Sequence, residues 1–291
     1  MASMGTGEYR YEIVEHFCKL PEGMSFGRVT GVGVDSRERV HVCQQLVDPP
    51  VLVFDREGRY LSSWGSGRIG EPHTIYVSPD DIFYLADRGD HVVATLTLDG
   101  DTLVEMGNRN QPSDTGAEED EAEVLRAGGP FNRPTHLVPS PSGDLYVSDG
   151  YRNCRVHRFS AEGKLIRSWG EPGGPEPGQI FSPHCLWVDG QGLVYVCDRK
   201  NDRIQVFSAE GDFVNQWTDV PGATDISMVD DETVYVCERQ GDSGNWISVR
   251  DKTGRVQARW DAPRCHQICV DAHGDIFMVV GSGISKAVRQ R

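Results

Sequence analysis

Of the nine histidines in this 291-residue chain, His73, His184 and His266 fall at one position of a repeating pattern, each two residues ahead of an apolar residue (Ile75, Leu186, Ile268). Thr30, Thr135 and Thr224 take that position in the alternate units, ahead of Val32, Leu137 and Ile226. At about 3% histidine per position, three prescribed hits arise by chance about once in 30,000, before allowance for the choice of column. Three imidazoles contributed by alternate units of a closed ring would meet at its axis, about 120° apart. That donor set, with a fourth position open, is the pattern of a catalytic Zn²⁺, and imidazole suits other divalent transition metals as well. The competing reading is a polar plug of histidines and threonines hydrogen-bonded across a channel. The other six histidines share no column and are read as surface or core residues.

The elements that would position such a column are legible in the repeats. A turn and the strand after it recur: Phe54-Asp55-Arg56-Glu57-Gly58 leads to Ser63-Trp64-Gly65, Phe159-Ser160-Ala161-Glu162-Gly163 to Ser168-Trp169-Gly170, and Phe207-Ser208-Ala209-Glu210-Gly211 to Gln216-Trp217-Thr218. Looser copies run from Leu98 to Gly107 and from Arg250 to Asp261. Upstream lies an alternating apolar strand ending in an acid or its replacement, six times over: at Gln44, Asp87, Asp149, Asp198, Glu238 and Val280. Each unit of about 40 residues holds four runs of period-two alternation bounded by Gly, Asp, Ser and Pro, which predicts strands rather than helices. Four-stranded sheets repeated radially are propeller blades. The expected fold is all-β, a six-bladed β-propeller forming one domain over 9–291, after a disordered terminus at 1–8. The sixth unit stops soon after Val280-Gly281, whereas Tyr11–Phe17 is an orphan alternating stretch. An N-terminal strand is therefore expected to close the last blade and leave no open sheet edge.

Composition narrows the function. A net charge of −15 argues against nucleic acid and anionic membrane as partners. The sequence has no apolar run of 18 residues, and Met1–Gly7 lacks the apolar core of a signal peptide. Cys43, Cys197 and Cys237 share one repeat position where a small buried side chain fits. They are read as reduced thiols of a cytoplasmic protein acting on a small-molecule substrate.

If the first strand of each unit starts at the metal rim, the antiparallel second strand returns to it. That places Gln44, Arg88, Tyr151, Arg199 and Arg239 near the metal as candidate substrate-binding or catalytic residues. Unit three carries one more residue than unit four between its acid and the next strand, which lifts Tyr151 over the rim. Asp149 and Asp198 are expected only to cap turns. The insertion from Asn108 to Asn132 carries Glu118-Glu119-Asp120-Glu121. A solvated, mobile face is the favoured reading of that acid run over a substrate lid.

Ser148-Asp149-Gly150-Tyr151-Arg152-Asn153-Cys154-Arg155, Phe181-Ser182-Pro183-His184 and Cys197-Asp198-Arg199-Lys200-Asn201-Asp202-Arg203-Ile204 together resemble the NHL-repeat propeller of peptidyl-α-hydroxyglycine α-amidating lyase. The resemblance covers nearly the whole chain and is strongest from Phe131 to Phe207. It implies a six-bladed propeller with a three-histidine zinc centre whose ligands match His73, His184 and His266. It further implies a catalytic tyrosine at Tyr151 and an active-site arginine at Arg199. The family's second active-site arginine falls on Gln44, and its methionine two places before the last zinc ligand falls on Arg264, a substitute charge from another blade. Its calcium-binding aspartate falls on Gln267, which weighs against Ca²⁺. Its disulfide cysteines fall on Arg152, Tyr195 and Val206.

The chemistry so implied is a lyase reaction on a small α-hydroxyamide or related adduct. The zinc polarises the hydroxyl, Tyr151 takes its proton, and Arg199 holds a carboxylate or developing oxyanion. A metal-dependent hydrolase or hydratase using the same ligands, and a non-catalytic propeller scaffold, are the alternatives.

Overall fold

The computed structural model describes residues 2–230, 232–239, 241 and 244–290. Each repeat folds into an antiparallel sheet whose first strand is innermost. Blade 1 comprises Arg28–Val34, Val40–Gln45, Val51–Phe54 and Tyr60–Trp64, and blade 2 Pro72–Val77, Ile82–Asp87, Val92–Thr97 and Thr102–Gly107. Blade 3 runs Pro134–Pro139, Leu145–Asp149, Arg155–Phe159 and Leu165–Trp169. Blade 4 runs Pro183–Val188, Val194–Asp198, Arg203–Phe207 and Phe213–Trp217, and blade 5 Asp225–Met228, Val234–Arg239, Asn245–Arg250 and Val256–Asp261. Blade 6 takes Cys265–Val270, Ile276–Val280 and Gly283–Gln290 from the end of the chain and Tyr9–Val14 from its start. The innermost strands touch in sequence around the ring, and that of blade 6 returns to that of blade 1. The six-bladed propeller closed by an N-terminal strand is thus what the alternation pattern dictates. Among the described residues the single helical element is a 3-10 turn at Arg199–Asn201, and no helix is long and apolar enough to cross a membrane.

One expectation is corrected. Of the expected disordered terminus at 1–8, Met1 lies outside the described residues and the rest is not a disordered tail: Ala2–Thr6 pairs antiparallel with Tyr9–Val14 as a fifth, outermost strand of blade 6. The added strand gains a ladder of hydrogen bonds, and Met4 and Tyr9 pack on the core between blades 5 and 6, so the segment has apolar burial to offset its ordering entropy.

The core is distributed as six apolar clusters, one at each junction between neighbouring blades. This arrangement explains the recurring Gly and Trp landmarks. The Gly211 turn of blade 4 lies on the indole of Trp169 in blade 3, and the Gly254 turn of blade 5 on that of Trp217 in blade 4. A Cβ at Gly211 would come within 2.7 Å of the first ring and one at Gly254 within 2.3 Å of the second. Both residues have positive φ, +81° and +89°, so glycine is required for space and for conformation. All eight cysteines are unbridged, and seven are buried.

Closure can be tested through Tyr11. It is 1% exposed, its ring lies 5.7 Å from that of Trp260, and its hydroxyl is 3.2 Å from Tyr235 Oη. Tyr11→Ala is expected to cost about 3–5 kcal/mol, the range for a large buried aromatic side chain, as measured by urea denaturation. A loss below about 1 kcal/mol would show that the amino-terminal strand contributes little to the ring.

Candidate metal centre

The column residues lie second or third in their strands or immediately before one, at one mouth of the central channel. They are linked in a closed circuit. Thr30 Oγ1 donates to Pro72 O (2.9 Å), and Nδ1 of His73 lies 2.7 Å from Thr135 O. Thr135 Oγ1 donates to Pro183 O (2.9 Å), and Nδ1 of His184 lies 2.6 Å from Thr224 O. Thr224 Oγ1 reaches Cys265 O at 3.4 Å, and Nδ1 of His266 lies 2.7 Å from Thr30 O. A carbonyl can only accept, so each Nδ1 carries the proton and each Nε2 presents a bare lone pair to the axis. Burial pushes all three imidazoles below their ordinary basicity, His184 to about 4 and His73 and His266 well below the usual range, with the neighbouring rings adding to the shift for those two. They are neutral at physiological pH.

The three rings stand nearly perpendicular to one another, 76°, 77° and 79° between planes, with centroids 4.7–5.0 Å apart. Nε2 of His73 and Nε2 of His266 are 3.2 Å apart. Two bare acceptors at that separation repel unless a cation lies between them. Nitrogens sharing a tetrahedral ion at about 2.05 Å are about 3.3 Å apart. The residues present therefore fit a divalent transition ion.

Tyr151 caps this triangle. Its Oη is 3.1 Å from His73 Nε2 and 3.3 Å from His184 Nε2, and the residue is 7% exposed. The guanidinium of Arg88 stacks over the phenol ring at 4.7 Å and that of Arg199 at 5.5 Å. Burial pushes the phenol above its ordinary value, opposed chiefly by the charges of Arg88 and Arg28. Arg199, which stacks over the same ring, is itself paired with Glu121.

The acidic insertion divides. Glu118, Glu119 and Glu123 are exposed, as a solvated run should be, whereas Asp120 and Glu121 turn inward. Asp120 meets Arg88 (3.2 Å), Arg133 (2.9 Å) and Arg152 (2.9 Å); Glu121 pairs with Arg199 and with Lys200 at 2.7 Å. The backbone N–H of Glu121 donates to Tyr151 O (2.7 Å). The segment thus covers the rim and fixes the tyrosine loop, correcting the reading of its whole acid run as mobile. Arg199 is further held by Ser182 Oγ at 3.0 Å. Burial, and next the neighbouring charge of Arg264, push the Arg239 guanidinium below its ordinary pKa, and Arg264 itself is exposed.

Gln44 requires correction as a substrate-binding residue. Its Oε1 accepts from Gly27 N (2.9 Å) and its Nε2 donates to Pro49 O (2.9 Å), leaving the amide spent. It occupies the repeat position of Asp87, Asp149 and Asp198, which accept from Gly70 N, Asn132 N and Phe181 N in their own blades. All four tie down the loop entering the innermost strand. The charge expected near Gln44 comes from Arg28 instead, whose field acts on Tyr151, His184 and His266. Arg28, Arg133 and Arg264 each stand two residues before a column residue, so extending the column by two would have found the first two alongside Arg264. Gln267, after the last column histidine, accepts from Val32 N (3.0 Å) and donates to Ile75 O (2.6 Å), so its amide bridges blades 6, 1 and 2.

The NHL repeat model matches residues 182–207, the first three strands of blade 4 with His184 and Arg199. The chain is 32% identical over 182 residues to peptidyl-glycine alpha-amidating monooxygenase B of Xenopus laevis, covering 58% of this chain and 19% of that one. It is 27% identical over 249 residues to a Caenorhabditis elegans protein named "Probable peptidyl-alpha-hydroxyglycine alpha-amidating lyase", covering 78% and 66%. The chain spans about a fifth of the length of the monooxygenases it matches. A gluconolactonase of Xanthomonas campestris superposes with a TM-score of 0.69 at 11% identity, covering 99% of this chain and 95% of that one, which shows a shared fold. The protein is a six-bladed β-propeller with an NHL-repeat match in blade 4, and it resembles in sequence relatives named peptidyl-α-hydroxyglycine α-amidating lyase.

Proposed function

We propose that this protein is a metal-dependent lyase that cleaves the C–N bond of a small α-hydroxyamide or related adduct. The observation that carries the reading is the convergence of three neutral Nε2 lone pairs, with Tyr151 Oη 3.1 and 3.3 Å from two of them. A divalent transition ion such as Zn²⁺, held by His73, His184 and His266, would supply Lewis acidity to a hydroxyl oxygen. Tyr151 would act as the phenolate that a bound dication and the Arg88 charge favour over the phenol; it takes the hydroxyl proton, the carbon–oxygen double bond forms as the C–N bond breaks, and the resulting phenol gives that proton to the departing amide nitrogen. The products are an aldehyde and an amide, and no water is consumed. Nothing in this reading requires a calcium ion, since the Gln267 amide already joins its three blades.

Substrate charge follows from the rim. Asp120 and Glu121 neutralise Arg88 and Arg199, while Arg28, Arg239 and Arg264 make no ion pair among the described residues. With Glu121 seated on Arg199, the rim suits an uncharged hydroxyamide or one whose anionic group reaches Arg28 and Arg239. The reading as an enzyme is supported by relatives named as lyases, and the proposed small-molecule substrate fits a site with two buried histidines and one partly buried.

Three measurements test it. Elemental analysis is expected to show His73→Ala holding about one equivalent less transition metal than wild type; equal content would remove the three-histidine assignment. Tyr151→Phe should retain the metal and lower kcat by about 10²–10⁴-fold, the span for a lost acid/base group. Activity that is insensitive to this change, or product formation that consumes water, would favour a metal-hydroxide hydrolase. Glu121→Gln frees Arg199, so the ratio of kcat/KM for a carboxylate-bearing hydroxyglycine over an uncharged hydroxyamide should rise about tenfold, the worth of one charged hydrogen bond. An unchanged ratio would show that Arg199 does not meet the substrate's charge.

A further inference from the structure

The residues that follow the column residues form a second layer around the channel: Gly31, Thr74, His136, Cys185, Asp225 and Gln267. In the sector of blades 1, 2 and 6 this layer is closed by the Gln267 amide and by Thr74 Oγ1, which donates to Thr135 O. In the sector of blades 3, 4 and 5 it is chemically unfinished. His136, Cys185 and Asp225 are 2%, 0% and 1% exposed, and a ring nitrogen, the sulfur and a carboxylate oxygen lie within 4.8 Å of one another. Nδ1 of His136 is 2.9 Å from Cys185 Sγ and 3.1 Å from Leu186 O. Asp225 Oδ2 accepts from Ile268 N at 2.7 Å. His136 Nε2 and Asp225 Oδ1 are buried with no hydrogen-bond partner.

Buried polar atoms are almost always paired, and two orphans on adjacent members of one cluster point to a missing ligand. A proton on Nδ1, shared with the Leu186 carbonyl, leaves Nε2 as an acceptor; Asp225 Oδ1 is an acceptor as well. One cation can meet an imidazole nitrogen, the sulfur and a carboxylate oxygen of this cluster, which lie within 4.8 Å of one another, and sulfur and imidazole donors select a zinc-class ion over calcium or magnesium. Access exists from the side away from Tyr151. A cavity of about 670 Å³ opens between the ends of the innermost strands, and His136, Asp225 and Gln267 are among its lining residues.

We propose that His136, Cys185 and Asp225 form a second transition-metal site, at the floor of the opposite channel mouth and separate from the three-histidine centre. Binding deprotonates the Cys185 thiol, with the proton released to solvent, and gives one thiolate, one imidazole and one carboxylate ligand. Three protein donors leave a coordination position for water or a small anionic or thiol ligand entering from the cavity. The site does not depend on the lyase reading, because it shares no ligand with it.

Cobalt distinguishes the two centres, since a thiolate ligand gives Co²⁺ an intense near-ultraviolet charge-transfer absorption that imidazole ligands do not. The full chain, stripped of metal and titrated with Co²⁺ under reductant, is expected to develop that absorption. It should persist in His73→Ala and vanish in Cys185→Ser. Asp225→Asn, which keeps the side chain's shape, should weaken Co²⁺ binding at this band about tenfold or more, and circular dichroism should confirm that each variant is folded. A wild type without the band, a band surviving in folded Cys185→Ser, or unchanged affinity in folded Asp225→Asn would each overturn the proposal. A band accompanied by only about one equivalent of Co²⁺ in wild type would support this site and count against the three-histidine one.

Discussion

Six hydrogen bonds joining each blade to the next at one mouth of the channel hold the arrangement on which the site depends. Histidine Nδ1–H and threonine Oγ1–H alternate as donors to carbonyls of the following blade, from Thr30 around to His266 and back to Thr30. The circuit uses buried carbonyls that the ladders leave available, ties neighbouring innermost strands at their starts, and fixes every imidazole in one tautomer. The alternation has a steric reason. Three rings with centroids 4.7–5.0 Å apart already fill the axis, and a close-packed channel has no room for six. Threonine supplies the donor where the ring does not fit.

Around this neutral centre the electrostatics run against the composition. The chain carries a net charge of −15, yet the rim gathers Arg28, Arg88, Arg133, Arg199, Arg239 and Arg264. Such a concentration is tolerable only because acids from elsewhere come to it. Glu71 pairs with Arg88 and with Arg133 (2.7 Å), and Asp120 and Glu121 arrive on the 108–132 insertion. Two buried or half-buried guanidinium groups are thereby desolvated in company, which avoids the cost of an unpaired interior charge. The same pairs anchor the insertion and, through the Glu121 N–H on Tyr151 O, set the tyrosine over the histidines. Cover, charge balance and tyrosine placement are thus one set of contacts.

The repeat fold turns strand direction into chemistry. All innermost strands start at the histidine mouth and end at the other, so consecutive residues in one strand belong to successive layers of the channel. The first layer is His/Thr throughout; the second differs by sector, amide-closed across blades 6, 1 and 2 and His/Cys/Asp across blades 3 to 5. Each innermost strand presents its residues to the channel in the same order, so side-chain type at a given layer decides what each sector can bind.

Sequence by itself determined the blade count, the all-β class, the closure by an amino-terminal strand and the histidine column, because period-two alternation and a fixed repeat length carry that information locally. It also marked Tyr151, through a one-residue difference between two units. What tertiary structure decided were pairings between segments distant in sequence. Gln44 proved to be the blade 1 counterpart of the capping aspartates, since its amide is consumed by Gly27 and Pro49. Arg28 was passed over although it stands two residues before the column, because its effect on Tyr151 depends on how blades 1 and 3 face each other across the axis. The inward turn of Asp120 and Glu121 was illegible for a similar reason. An acid run is solvated or buried according to whether cations wait where it folds back, and here Arg88, Arg133, Arg152 and Arg199 come from three other blades. The order in residues 2–6 likewise depends on an edge that only the closed ring presents, the outer side of Tyr9–Val14.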